Sequence, residues 1–116
     1  MTERVEKPWG YELIWAKTDR YVGKLLHLRC GESLSLQYHR VKEETLRVLT
    51  GRMRFLTATP EGVKQERVLD EGDVAHIPPG LRHRMEALED CDIVEVSTPE
   101  LDDVVRLEDR YGRAGK

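Results

Sequence analysis

Four side chains in this sequence have the types and spacing to hold a metal ion: Gln37, His39, Glu44 and His83. Gln37 and His39 stand two residues apart, so on an extended strand they project to the same side, about 7 Å apart along the chain. Glu44 follows a short polar stretch, and a hairpin there would return its carboxylate to the same point. His83 comes just after Pro78-Pro79-Gly80, a break that forces a turn and aims the imidazole on the strand behind it. Two imidazoles, a carboxylate and an amide oxygen form a mixed nitrogen and oxygen set. It suits one borderline divalent ion, zinc first, with manganese, iron, cobalt or nickel as alternatives, and positions stay open for water or substrate. Gln37 has a competing reading, because its amide could hydrogen-bond a ligating imidazole instead of the ion.

The elements that must position this set read as short strands. Residues 33–39 alternate, with Ser33, Ser35, Gln37 and His39 on one face and Leu34, Leu36 and Tyr38 on the other. That period of two means a strand. Similar runs lie at 21–28, 44–49, 52–58, 63–69, 74–77, 83–88 and 92–98, punctuated by Cys30-Gly31, Thr50-Gly51, Pro60-Glu61-Gly62 and Asp70-Glu71-Gly72-Asp73. Seven or eight such strands, with little helical periodicity, predict an all-β sandwich or barrel. Only the tail from Leu101 to Arg110 has the character of a helical turn or two. A polar inward face on the strand at 33–39 predicts a lined cavity rather than a filled core.

Length and composition narrow the classes. The 116 residues suit a single domain, 1–116, with its core at about 7–113. Nineteen basic and 22 acidic residues give a net charge of −3, which argues against nucleic acid as the partner. No apolar run approaches the roughly 18 residues of a membrane helix, and the charged start is not followed by an apolar signal segment. A cytoplasmic protein with no membrane partner is the expectation. Cys30 and Cys91 lie far apart without metal-type spacing and are expected to be a reduced pair.

The segments 31–51 and 72–87 resemble the paired motifs of the cupin superfamily. In the first, Gly31, His39, Glu44 and Gly51 fall in register, with Gln37 where the first His normally stands. In the second, Gly72, Pro78, Gly80 and His83 match, with Ala87 replacing an Asn. The glutamine narrows the resemblance, because Gln-x-His followed by Glu is the ligand pattern of phosphomannose isomerases. Leu34 to His39 (LSLQYH) resembles the LSLQxH of the type II isomerase domain, found at the C-terminus of bifunctional mannose-1-phosphate guanylyltransferases. Pro8-Trp9-Gly10, Tyr21, Lys24, the run Ile77 to Glu86 and the tail DDVVRLEDRYGR extend the similarity from about Lys7 to Arg113. Two departures bear on the substrate pocket. Arg40-Val41-Lys42 lacks a His of the family, and Thr45-Leu46 stands where His-Trp is common.

The resemblance implies a single cupin (double-stranded β-helix, or jelly-roll) barrel with metal ligands Gln37, His39, Glu44 and His83. It implies an aldose–ketose isomerase interconverting mannose 6-phosphate and fructose 6-phosphate, with a small-molecule sugar phosphate as its partner. Lys24 is the expected residue for proton transfer or charge stabilisation. Arg84 is expected to anchor phosphate in the catalytic site, and Lys42 to contact the substrate beside it. The rival readings are a non-catalytic cupin that binds metal and sugar, and another metal-cupin enzyme such as a dioxygenase. Nucleotide transfer is not expected of these residues. His76 has a minor claim as a pocket residue, whereas Trp9 and Trp15 read as packing. The apolar face of Leu34, Leu36 and Tyr38, with open sheet edges, predicts a homodimer.

Overall fold

Eleven strands and no helix make up residues 2–115, the part of the chain that this computed structural model describes. β1 (Glu3–Lys7) and β2 (Gly10–Lys17) form a hairpin about Pro8-Trp9. β3 (Val22–Leu28), β4 (Leu36–Tyr38), β5 (Glu44–Thr50) and β6 (Met53–Ala58) follow. β7 (Lys64–Leu69), β8 (Val74–Ile77), β9 (Arg82–Ala87), β10 (Cys91–Ser97) and β11 (Val105–Glu108) complete the order. One sheet runs β1-β2-β3-β10-β5-β8 and the other β11-β4-β9-β6-β7. β1-β2-β3 and β6-β7 are consecutive, but the other neighbours are distant in sequence because the chain crosses repeatedly between the sheets, giving a double-sheet jelly roll. No helix among the described residues is long and apolar enough to cross a membrane.

The inner faces of both sheets meet in one apolar cluster that includes Leu28, Leu46, Val48, Met53, Phe55 and Ile93. Trp9 joins it at 3% exposure and also borders the cavity described below. The β5–β6 turn is possible only because residue 51 is glycine. Its φ is +85°, and a Cβ there would lie 2.2 Å from the Asp90 carbonyl oxygen. Gly10 is fixed by close approach, since a Cβ would fall 1.8 Å from the His27 carbonyl oxygen.

Two expectations need correction, and two strands escaped the sequence reading. The tail does not turn helically: Val105–Glu108 is a strand laid along β4, which would otherwise present an open edge. β1 and β2 were not legible as strands, because β1 has a single apolar residue and β2 reverses the usual pattern. On β2 the buried positions are Gly10, Glu12 and Ile14, while Leu13 and Trp15 look outward. The alternation over 33–39 is also broken. Ser33 bridges to Glu86 and Gln37 pairs with His83, so four steps on this segment face three on β9. The extra residue turns Leu34 onto the core, and Leu36 is buried at 6% exposure, so the expected outer apolar face does not form. An apolar outer face exists instead on the six-stranded sheet, where Leu13, Leu25 and Val94 pair across three strands. Trp15 covers Gly23 on this sheet, and Trp15 and Val96 are each about half exposed.

Candidate metal centre and its cavity

The two sheets deliver the ligand candidates to one place. β5 contributes Glu44 at its first position and β9 contributes His83 at its second, while His39 directly follows β4. His39, Glu44 and His83 are all buried, with ligand atoms within 4.8 Å of one another. Gln37 is paired across the β4–β9 ladder with His83, and its side-chain oxygen accepts a 2.6 Å hydrogen bond from Ser35. The bend at Pro78-Pro79-Gly80 ties the two histidine segments together, because the Gly80 N–H donates to the His39 carbonyl at 2.7 Å.

The hydrogen bonds around the rings fix which nitrogen faces the site. Nδ1 of His39 lies 2.6 Å from the Asp103 carbonyl oxygen, and Nδ1 of His83 lies 2.9 Å from that of Leu81. A carbonyl only accepts, so each Nδ1 carries the proton of a neutral imidazole and each Nε2 presents a lone pair. Both lone pairs are aimed at the same carboxylate oxygen. Glu44 Oε1 is 2.9 Å from His39 Nε2 and 3.4 Å from His83 Nε2, and the latter nitrogen has no hydrogen-bond partner. Three buried acceptors converging on one point need a cation between them. A divalent ion fits this donor set, and the set is the usual choice for zinc or a neighbouring transition metal. His39, Glu44 and His83 would hold it, with Gln37 alongside.

The surrounding charges are arranged to keep Glu44 ionised. Burial opposes its charge, and the Lys42 ammonium beside it favours the ionised form. Lys42 Nζ stands 3.3 Å from Glu44 and 3.6 Å from Glu95. Burial disfavours its ammonium, yet the charges of Glu95 and Glu44 prevail and raise its pKa. Glu95 is shifted the other way: burial and then the Glu44 charge push its pKa up. Asp103 clamps the loop that carries Lys42. Its carboxylate accepts from the N–H groups of Arg40, Val41 and Lys42 at 3.0, 2.7 and 2.9 Å. Those donors hold its pKa down to about 2.

A cavity of about 210 Å³ opens beside the cluster, with Glu44, Gln37, Lys42 and Lys24 in its wall. Lys24 is buried and lies 3.4 Å from Glu12. Arg84 is not in that wall. Strand alternation puts it on the face of β9 opposite His83, where it reaches Glu108 at 3.8 Å, so the geometry does not place it beside a substrate. His76 is also outside it, exposed on β8 and 2.6 Å from Glu43. Sequence reasoning missed Glu12, Glu95 and Asp103, as well as Lys7, Arg106 and Arg113, which also line the cavity. The one available signal was Glu95, an acid in the inward phase of an apolar strand, and that phase is visible only once Ile93 is known to face the core.

A jelly roll with this inward histidine and glutamate set defines a cupin. The chain belongs to the family described as mannose-6-phosphate isomerase, C-terminal, whose model matches residues 1–109. It is 39% identical over 119 residues to the mannose-1-phosphate guanylyltransferase ManC of Salmonella typhimurium, covering 97% of this chain and 24% of that protein. It is 34% identical over 118 residues to the xanthan biosynthesis protein XanB of Xanthomonas campestris, covering 95% of this chain and 24% of the relative. The chain thus spans about a quarter of the curated relatives it matches. Among solved structures, it resembles oxalate decarboxylase from Bacillus subtilis with a TM-score of 0.78 at 21% identity, covering 91% of this chain and 30% of that one. The capsular polysaccharide assembling protein CapF of Staphylococcus aureus gives 0.77 at 22% identity, covering 93% and 34%. These two likenesses show the fold. Mn(II) centres are described for the decarboxylase.

Proposed function

We propose that the chain is a metal-dependent aldose–ketose isomerase acting on a hexose phosphate, with mannose 6-phosphate and fructose 6-phosphate as the pair. The observation that carries this reading is the buried convergence of His39, Glu44 and His83 beside a cavity lined by charged side chains. The family description and the sugar-phosphate chemistry of the curated relatives' names support the substrate class. A bound divalent ion supplies Lewis-acid polarisation of the sugar's carbonyl and hydroxyl oxygens. Zinc fits the donor set, and manganese is the second choice by analogy with the decarboxylase.

The chain's own residues would do the rest. Glu12, held by Lys24 at 3.4 Å and Lys7 at 3.9 Å, offers a carboxylate in the cavity wall that can take a proton from the carbon next to the carbonyl. The Lys24 ammonium balances the negative charge that develops as the proton leaves. Lys42 pairs with Glu44 and Glu95 in the cavity wall, which suits it to contact the sugar. Cytoplasmic work on a soluble sugar phosphate belongs to the same proposal. So does a homodimer built on the Leu13, Leu25 and Val94 face, which light scattering would test: a monomeric mass removes the dimer.

The test is direct. Purified protein loaded in turn with zinc, manganese, cobalt, nickel and ferrous iron is assayed for fructose 6-phosphate formed from mannose 6-phosphate. Turnover with at least one metal, lost in His83→Ala, is expected. No turnover with any of them rejects the isomerase. Thermal stabilisation by the sugar phosphate without turnover then identifies a binding protein.

A further inference from the structure

Strand register sets Glu95 into the cavity wall. On β10 the inward phase runs Cys91, Ile93, Glu95 and Ser97, all of them buried. Glu95 stands opposite Lys24 on β3 and Leu46 on β5, and residues opposite one another in antiparallel strands project from the same face. Ile93, one step earlier in that phase, belongs to the apolar core at 0% exposure. Glu95 is therefore the first charged position beyond the packed core along β10, and it lines the cavity.

The other glutamates of that wall are committed. Glu12 is held by Lys24 at 3.4 Å and Lys7 at 3.9 Å, and Glu44 faces His39, His83 and Lys42. Glu95 differs. Its side chain is 5% exposed, and Oε2 has no hydrogen-bond partner among the described residues. Lys42 Nζ stands 3.6 Å away, an ion-pair distance that is too long for a hydrogen bond. A buried carboxyl oxygen without a hydrogen bond is unfavourable, and a hydroxyl entering the cavity would satisfy it. That match does not depend on the proton, because an ionised carboxyl accepts from a hydroxyl and a protonated one can donate to it. The same Lys42 Nζ lies 3.3 Å from Glu44 Oε2, so a single ammonium separates Glu95 from the metal-ligand cluster. A ligand with oxygens on adjacent carbons suits that spacing, one oxygen toward the cluster and the next toward Glu95.

We propose that Glu95 is a specificity-determining substrate contact, whose Oε2 hydrogen-bonds the hydroxyl on C2 while the oxygen on C1 faces His39, Glu44 and His83. The three buried acids then divide the work. Glu44 holds the ion, Glu12 takes the proton and Glu95 recognises the hydroxyl, so that the C1–C2 unit is the part of the sugar presented for reaction. The inference rests on the isomerase reading for the identity of the sugar, but not for the contact between Glu95 and a hydroxyl.

The experiment uses the alditols made by reducing mannose 6-phosphate and 2-deoxyglucose 6-phosphate. Neither has a carbonyl to isomerise, and they differ only in the C2 hydroxyl. Manganese-loaded wild type, Glu95→Gln and Glu95→Ala are titrated with each by calorimetry, and Mn²⁺ affinity is read by electron paramagnetic resonance. The wild type is expected to bind the alditol with the C2 hydroxyl about 10- to 100-fold more tightly than the deoxy compound. Glu95→Ala is expected to erase that preference by weakening the first ligand alone, with the affinities for the deoxy compound and for Mn²⁺ unchanged. Glu95→Gln keeps the shape and one acceptor oxygen and is expected to fall between, which guards against an alanine variant that folds poorly. A purely structural role would weaken both alditols alike and leave the preference in place, which overturns the contact. A wild type that does not distinguish the two alditols, or binds neither, overturns it as well. The two proposals fail separately. A preference lost in Glu95→Ala, without turnover by any metal form, removes the isomerase and leaves the contact. Turnover of mannose 6-phosphate with a preference that survives Glu95→Ala does the reverse.

Discussion

The same strands build both halves of the barrel interior, and the halves are chemically opposite. β5 turns Glu44 inward and, two and four residues later, Leu46 and Val48. β10 turns in Glu95 and, earlier, Ile93 and Cys91; β3 turns in Lys24 and then Leu26 and Leu28. β9 turns in His83 and then Met85 and Ala87. At one end the inward residues are apolar and fully packed, as in Leu28, Leu46, Val48 and Ile93 at 0% exposure. At the other end they are imidazoles, carboxylates and ammonium groups that are nearly as buried. The apolar end gains from leaving water, whereas the polar end bears a desolvation cost that only pairing or a bound cation offsets. One end holds the fold and the other holds the chemistry.

The sharpest break of that comparison pairs one substitution at each end. Leu46→Ala should cost about 2–5 kcal/mol of stability, because the packed strands around it cannot close the void. Denaturant unfolding should show that loss to the same extent with and without zinc. At the polar end, zinc at about 100 times its Kd should stabilise the wild type by about 2.7 kcal/mol, and His83→Ala should remove that increment. If the increment survives His83→Ala, or if Leu46→Ala changes it, the division of labour between the two ends is wrong.

A smaller effect concerns how the polar end is held. Asp103 lies outside the cluster, yet its carbonyl sets the tautomer of His39 and its carboxylate caps three successive N–H groups of the loop leading to Glu44. Asp103→Ala keeps the carbonyl but frees the loop. It should weaken metal binding about 10- to 100-fold, and Asp103→Asn, with one oxygen left to accept, should recover part of that loss. The visible spectrum of the cobalt-loaded protein separates positioning from general stability. A variant with unchanged cobalt affinity and an unchanged spectrum would show that the clamp serves the fold alone.

These two ends were not equally legible in the sequence. His39, Glu44 and His83 could be read because ligands recur at short spacing between glycine and proline turns, and the structure brings all three together. Strands β3, β5, β6 and β8 to β10 could be read because each has apolar residues in period two, and β7 because turn residues bound it on both sides. β2 could not, since its inward face carries Glu12 and its outward face Leu13 and Trp15, the reverse of the usual pattern. Arg84 misled for a related reason. It adjoins His83 in sequence, but neighbours on a strand point to opposite faces. Arg106 and Asp103 stayed hidden because their places depend on the tail pairing with β4, a contact across 64 or more residues that no local pattern announces. Leu34 looked outward until the extra residue opposite β9 reversed its side.

The cysteines give the finest probe of the apolar end. Cys91 begins β10 and faces the core at 1% exposure, whereas Cys30 lies exposed before the turn at Gly31; both are free thiols. Burial, and then the charges of Asp92 and Asp90, push the Cys91 thiol up to about 12. The thiolate is the reactive form, and a raised pKa keeps the thiol protonated until the pH approaches that value. At pH 8 only roughly one Cys91 in ten thousand would be ionised, even before its lack of access is counted. A disulfide reagent should therefore titrate one thiol per native chain quickly, through Cys30, and a second only after unfolding. The slow phase should follow the unfolding rate and accelerate in Leu46→Ala, which loosens the same core. Zinc should slow it as far as it stabilises the fold. Rapid native labelling of Cys91 would mean that the apolar end opens on its own, and that the metal end contributes more to holding the barrel closed than the packing at Leu46 and Ile93 implies.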